Sequence, residues 1–213
     1  MRAPPTITQY WSGRAYTFPE GTSAWISRYW DSWQAPYRQR LADALAPFVG
    51  AGARSVLEIG CHCGPNLRLW RSRWPTLQCW GFDVSTEAIA AGQQFFAGDP
   101  HADVWVEDLR RALTLPRADV VVSCYALAYV PPEELAETVG RLRDAARMAM
   151  ILAEPMAFGG DAEGRCADDP EEYRHDYVRL LAWHGVATVT MLEPVDRLNA
   201  ILTFTPQPEG TRP

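Results

Sequence analysis

The chain has 213 residues, 47% of them hydrophobic and 22% charged, with a net charge of −6; this is ordinary globular usage and excludes wholesale disorder, a collagen-like chain and a coiled coil. The length suits one domain with a peripheral segment and is enough to bury a sizeable core. All twenty basic residues are arginine, so a P-loop and Schiff-base catalysis, both of which need a lysine, fall away.

The charge is uneven along the chain. Residues 1–50 hold 5 arginines against 3 acids, and the remainder 15 against 23, the opposite of what a nucleic-acid partner needs. No run of eighteen apolar residues occurs and the start, Met1-Arg2-Ala3-Pro4-Pro5, lacks an apolar signal core, so the expectation is a cytoplasmic protein without a membrane partner. Five cysteines, an odd number without framework spacing, suit a reducing compartment.

Residues 1–50 read as an aromatic cap: Trp11, Trp25, Trp30 and Trp33, with Tyr10, Tyr16 and Tyr29, precede a helix predicted over Pro36–Val49. Trp25, Ile26, Tyr29, Trp30 and Trp33 follow helical spacing, which fits a lid over a ligand, or packing against a sheet edge or a second subunit in a homodimer. From residue 54 onward short β-branched runs alternate with helical patterns, the signature of strand–helix units feeding a parallel sheet. The runs are 55–59, 78–82, 103–106, 118–123, 148–152 and the late pair 187–192 and 200–204. Ser85 is a predicted cap for one helix. Pro131-Pro132-Glu133-Glu134 and Asp169-Pro170-Glu171-Glu172 are two further helix starts, the second placing His175 on a helix after the fifth strand. Seven residues, Glu193 to Asn199, are too few for a helical crossover, so the last two strands should pair antiparallel.

The turn Glu58-Ile59-Gly60-Cys61-His62-Cys63-Gly64-Pro65 follows the first strand and opens a helix. In open α/β sheets ligands bind at the carboxyl ends of the strands, where glycine lets backbone amides come close. A nicotinamide fingerprint starting at Gly60 would need glycine where His62 and Pro65 stand. The turn resembles instead the first motif of the class I S-adenosylmethionine-dependent methyltransferases, an acid followed by three alternating glycines, of which the middle one is here His62. Gly81-Phe82-Asp83-Val84, Val106-Glu107-Asp108-Leu109 and Ser123-Cys124-Tyr125-Ala126-Leu127-Ala128-Tyr129 are similar to the motifs that end the family's second, third and fourth strands. Glu58, Asp83 and Asp108 lie 25 residues apart, one per strand–helix unit.

The resemblance covers residues 50–205 and implies a Rossmann-like α/β sandwich with a mostly parallel seven-stranded sheet of order 3-2-1-4-5-7-6, strand 7 antiparallel. It divides the chain into the cap (1–50), the cofactor domain (51–206) and a tail (207–213). It also implies S-adenosylmethionine as cofactor, with S-adenosylhomocysteine as product, held by Glu58, Gly60, Cys61, Gly64, Asp83, Val84, Asp108, Leu109 and Cys124. Asp83 would take both ribose hydroxyls, Asp108 the adenine amino group and Leu109 the adenine face.

The family's fourth-strand histidines are absent, the positions reading Ala128 and Tyr129. The candidate catalytic residues are therefore His175, as a base, and Tyr125 and Tyr129 near the methyl path. Cys61-His62-Cys63 does not have zinc-site spacing, and carboxylates such as Glu154, Asp161 or Asp168 have no fixed geometry, so no metal is expected. Six acids in 161–172 read as a solvated loop that could attract a cationic acceptor, and Arg68, Arg71 and Arg73 as a solvated helix face. The expected activity is in-line methyl transfer to a small molecule, aromatic or cationic. The alternatives are a non-catalytic relative that holds the cofactor or a partner, and a nucleotide-dependent oxidoreductase.

Overall fold

The computed structural model describes residues 22–110, 115–157, 164–165, 172–183, 188–196 and 199–205. Trp11, Tyr10, Tyr16, Asp161, Asp168 and the tail at 207–213 lie outside them. Helices α1 (Thr22–Asp31) and α2 (Pro36–Gly50), joined by the 3-10 turn Ser32–Gln34, precede strand β1 (Ser55–Ile59). Alternation then follows: α3 (Pro65–Arg73), β2 (Gln78–Asp83), α4 (Thr86–Phe95), β3 (Ala102–Val106), β4 (Ala118–Cys124), a 3-10 turn at Leu127–Tyr129, α5 (Pro132–Ala145) and β5 (Ala146–Pro155). A two-residue pair, β6 (Gly164–Arg165) and β7 (Tyr173–Arg174), leads to α6 (Tyr177–Trp183), β8 (Thr188–Asp196) and β9 (Asn199–Thr205).

The main sheet has the order β3-β2-β1-β4-β5-β9-β8. Because β6 and β7 stand outside it, β8 and β9 are the sixth and seventh sheet strands, and the expected order holds. The first five strands are parallel, with α3, α4 and α5 crossing from β1 to β2, β2 to β3 and β4 to β5, whereas β9 runs antiparallel to both β5 and β8. Central β1 is buried at all five positions, as a parallel strand covered on both faces must be. Its alternate side chains enter two cores: Val56 joins Leu41 and Leu45 of α2 and Trp70 of α3, while Leu57 and Ile59 join Leu135, Val139 and Leu142 of α5 and Tyr177 and Leu181 of α6.

Ser85 caps α4, its Oγ accepting the Ala88 amide at 3.2 Å, and α5 starts at Pro132 with Glu133 and Glu134 in its first turn. Residues 169–171 of the expected helix start lie outside the described set, and beyond them Tyr173–Arg174 is extended and His175 bridges Met156 in parallel. Asp176 provides the cap instead, its Oδ1 accepting the Arg179 amide at 2.9 Å, so His175 precedes the helix. Of the arginines expected as a solvated face on α3, Arg73 is exposed while Arg68 and Arg71 are partly buried, and all three are engaged. Arg71 forks onto both oxygens of Asp99 at 2.8 and 2.9 Å, Arg73 pairs with Asp43, and the Arg68 guanidinium lies over the rings of Trp30 and Trp33 at 4.8 and 4.7 Å. They fasten α3 to the α1–α2 segment and to the loop before β3. No helix among the described residues is long and apolar enough to cross a membrane.

Candidate active site

A cavity of about 360 Å³ opens beyond the carboxyl ends of β1 to β4, where a parallel sheet receives ligands. Gly60 has a φ of 66°, and a Cβ there would come within 2.6 Å of the Ala126 Cβ, so glycine is required both by conformation and by the approach of the next loop. His62 keeps a left-handed φ of 53°. The side chain has changed from the glycine motif while the turn has kept glycine-like backbone.

One side of the cavity is formed by Gly60, Asp83, Val84, Ser85, Glu107, Asp108, Leu109 and Arg110. Asp83 receives the His62 amide on Oδ2 and the Ser85 amide on Oδ1, each at 2.9 Å. Burial raises its pKa, and these backbone donors work against that rise. A carboxylate has about four acceptor positions, so two amides leave room for further donors from a ligand. Asp108 is turned toward Arg110: Oδ1 takes the Arg110 amide and Nε, and Oδ2 takes Nη2 at 3.1 Å.

The other side is aromatic, with Trp25 and Tyr29 from α1, His62 from the glycine turn, and Tyr125 and Tyr129 from the loop after β4. Tyr125 is 39% exposed with a φ of 58°, an uncommon conformation for a non-glycine residue. Glu154 of β5 holds the loop in shape. Fully buried, it accepts the Ser123 hydroxyl and the amides of Ala126, Leu127 and Ala128. Oε1 thus takes three of these bonds and Oε2 the one from Ala128, and no cluster of three or more metal-ligating side chains occurs among the described residues.

Glu58, Cys61 and Gly64 do not line the cavity. Glu58 lies beneath the turn, 1% exposed, accepting Asn66 Nδ2 on Oε1 at 2.5 Å; Arg38 Nη1 in turn donates to Asn66 Oδ1 at 2.8 Å. Desolvation pushes the Glu58 carboxyl up to about 7. Cys61 packs into the core against the backbone of Gly81. Gly64 begins α3, with φ 88° and a would-be Cβ 2.6 Å from the Phe96 ring. His175 is 3% exposed and outside the cavity, its Nε2 3.1 Å from the Val130 carbonyl and its ring stacked on Tyr173. The structure therefore brings Gly60, Asp83, Val84, Asp108, Leu109, Cys124, Tyr125 and Tyr129 to one cavity, and not His175. Sequence reasoning did not select His62, Trp25, Tyr29, Ser85 or Arg110 as site residues; only the displaced motif glycine and the aromatic density before residue 34 signalled any of them.

The model for the methyltransferase domain family matches residues 56–148, the segment that contributes β1 to β4 and their turns. That match covers under half of the chain, and over it the chain is similar to a methyltransferase domain. The trans-aconitate 2-methyltransferase of Mycolicibacterium gilvum is 33% identical over 103 residues, 47% of this chain and 38% of that protein. That of Mycobacterium tuberculosis is 38% identical over 79 residues, 37% of this chain and 28% of that protein. The chain thus spans between about a quarter and two fifths of the length of these relatives. Among solved structures, the magnesium protoporphyrin IX methyltransferase of Synechocystis with bound S-adenosylmethionine aligns with a TM-score of 0.67 at 16% identity, over 97% of this chain and 100% of that one. Human N-acetylserotonin methyltransferase, also in complex with S-adenosylmethionine, aligns with the same score at 15% identity, over 86% and 55%. Likeness at such low identity establishes the Rossmann-like methyltransferase fold of the domain.

Proposed function

We propose that the chain binds S-adenosylmethionine and transfers its methyl group to a small, uncharged acceptor bearing an aromatic ring. The observation that carries this reading is one cavity with two unlike sides: Asp83, Val84 and Leu109 at the ends of β2 and β3, facing an aromatic wall of Trp25, Tyr29, Tyr125 and Tyr129. In this reading residues 1–50 cap the domain of residues 51–206.

The residues present fit the cofactor. Asp83 retains acceptor capacity toward the cavity for the ribose hydroxyls, and Val84 and Leu109 offer apolar faces to a purine. Gly60 clears the approach to the backbone, and the buried Oε2 of Glu58 beneath it has no hydrogen-bond partner among the described residues. When bound, the cofactor supplies an electrophilic methyl on a sulfonium. The chain's part is to align and desolvate: the aromatic side chains exclude water, and Tyr125 and Tyr129, fixed by the Glu154-capped turn, orient the acceptor ring. Acceptor charge is argued from the same wall. Asp83, Glu107 and Asp108 line the cavity, and the lining cation, Arg110, is engaged by Asp108, so a polycarboxylate such as the trans-aconitate of the relatives would meet net repulsion.

Calorimetric titration of S-adenosylmethionine and S-adenosylhomocysteine into the protein and into Asp83→Ala tests the reading. Removing hydrogen bonds to a charged acceptor costs about 1.5–3 kcal/mol, a loss of roughly ten- to hundredfold in affinity. Absence of binding by the folded protein would overturn it, and a thermal shift given by NADH instead would favour an oxidoreductase. Binding without methyl transfer to any acceptor would favour the non-catalytic alternative.

A further inference from the structure

His62 stands where the turn's middle glycine would be, and its imidazole enters the aromatic wall. Its ring centroid lies 4.4 Å from both Trp25 and Tyr29, edge-on to each. The residue is 7% exposed, it lines the cavity, and neither ring nitrogen has a hydrogen-bond partner among the described residues. Buried polar side-chain atoms are nearly always paired, and an exception needs an explanation. A ring chosen only to fill this space would be phenylalanine-like and would leave no polar atom unpaired. We infer that the His62 imidazole is the polar anchor of the acceptor compartment, pairing with a hydroxyl or N–H group carried by an aromatic acceptor that enters beside Trp25 and Tyr29.

The imidazole is suited to that role as a neutral group. Burial, with Arg38 nearby, lowers its pKa to about 3, so at neutral pH one nitrogen accepts and the other donates. The contact positions a neutral ring without adding charge to a cavity that already carries carboxylates. His62 also joins the two sides of the cavity: its ring touches α1, and its amide donates to Asp83. Hydrogen-bond readout of this kind discriminates strongly, because an acceptor lacking the polar group leaves the buried nitrogens unpaired.

The inference rests on the methyl-transfer reading, and fluorine NMR titration can separate the two. The full chain, loaded with S-adenosylhomocysteine under calorimetric control, is titrated with 4-fluorophenol and with 4-fluorotoluene, which differ by a hydroxyl. The wild type should prefer the phenol at least tenfold. His62→Phe, which keeps a ring and loses the nitrogens, should abolish that preference. His62→Gly, whose backbone is at ease at this φ, should do the same if the phenylalanine variant does not fold. A phenol preference that persists in these variants, or a loaded wild type that does not distinguish the two probes, overturns the role of His62 and leaves the cofactor reading intact. Failure of S-adenosylhomocysteine to bind the wild type overturns both.

Discussion

At the scale of single residues, the same side-chain type serves different ends according to what surrounds it. Asp83 and Glu58 both lie at the carboxyl ends of hydrophobic strands, last in β2 and next to last in β1, yet Asp83 lines the cavity while Glu58 is sealed beneath it on Asn66. Histidines diverge in the same way. His175 is tied to the Val130 carbonyl behind the wall, so His175→Ala should lower the melting temperature by the loss of a hydrogen bond, about 1 kcal/mol, and of ring packing. S-adenosylhomocysteine affinity, measured by calorimetry, should change less than threefold. A loss of affinity matching that of Asp83→Ala would place His175 in the site after all.

At the scale of elements, the aromatic segment before β1 is held by contacts that sequence spacing does not disclose. Trp30 of α1 stacks on Phe95 at 4.3 Å and meets Phe96 edge-on at 5.2 Å, while Arg68 lies across its ring. Aromatic pairs add about 0.5–1.5 kcal/mol each beyond area burial. Trp30→Ala should therefore detach α1 from α4 before the sheet unfolds, read as faster amide exchange across residues 24–34 with β1 and β4 still protected. Uniform loss of protection would show instead that α1 belongs to the same cooperative unit as the sheet. Arg71 binds Asp99 through two parallel bonds and also donates to the carbonyls of Pro75 and Leu77. A planar fork is needed for that set, so Arg71→Lys should recover little of the stability lost in Arg71→Ala when the two are compared in urea.

On the scale of the whole molecule, the carboxyls of Glu58 and Glu154 are buried among the described residues, each pushed up to about 7 chiefly by desolvation. The unfolded chain releases these protons near 4.5. Between about 4.5 and about 7 the folded state consequently binds more protons than the unfolded one, and stability falls as pH rises through that window. The contribution is fully present below the unfolded value and is lost by the time pH passes the folded one. Thermal unfolding followed from pH 5 to 8 should show this decline. Glu58→Gln keeps an oxygen to accept Asn66 Nδ2 and cannot titrate, so it should flatten the slope; an unchanged slope would assign the dependence to Glu154 or other groups.

Much of the architecture was legible in the chain because local rules and the global fold agree. Short apolar runs alternating with helical patterns pointed to buried parallel strands, and seven residues between the last two runs favoured an antiparallel return. The acids at 58, 83 and 108 marked the ends of the first three strands for the same reason. The placing of His175 on a helix misled because helical spacing after a capping signal is local information, and His175 pairs instead with Met156 ahead of α6. Which motif residues face the cavity was beyond sequence, since a strand's last residue and its turn point up or down according to neighbours distant in the chain. The crossing of α1 over the glycine turn, which brings Trp25 and Tyr29 to His62, depends on packing between segments more than thirty residues apart. Sequence alone therefore determined the strand–helix order and the antiparallel return, because these follow from periodicity and turn chemistry, while the order of the sheet came with the family resemblance of its motifs. Tertiary structure alone decided that Glu58 is sealed away, that His175 stands behind the wall and that His62 is within it, because burial and hydrogen-bond partners exist only once the layers have closed.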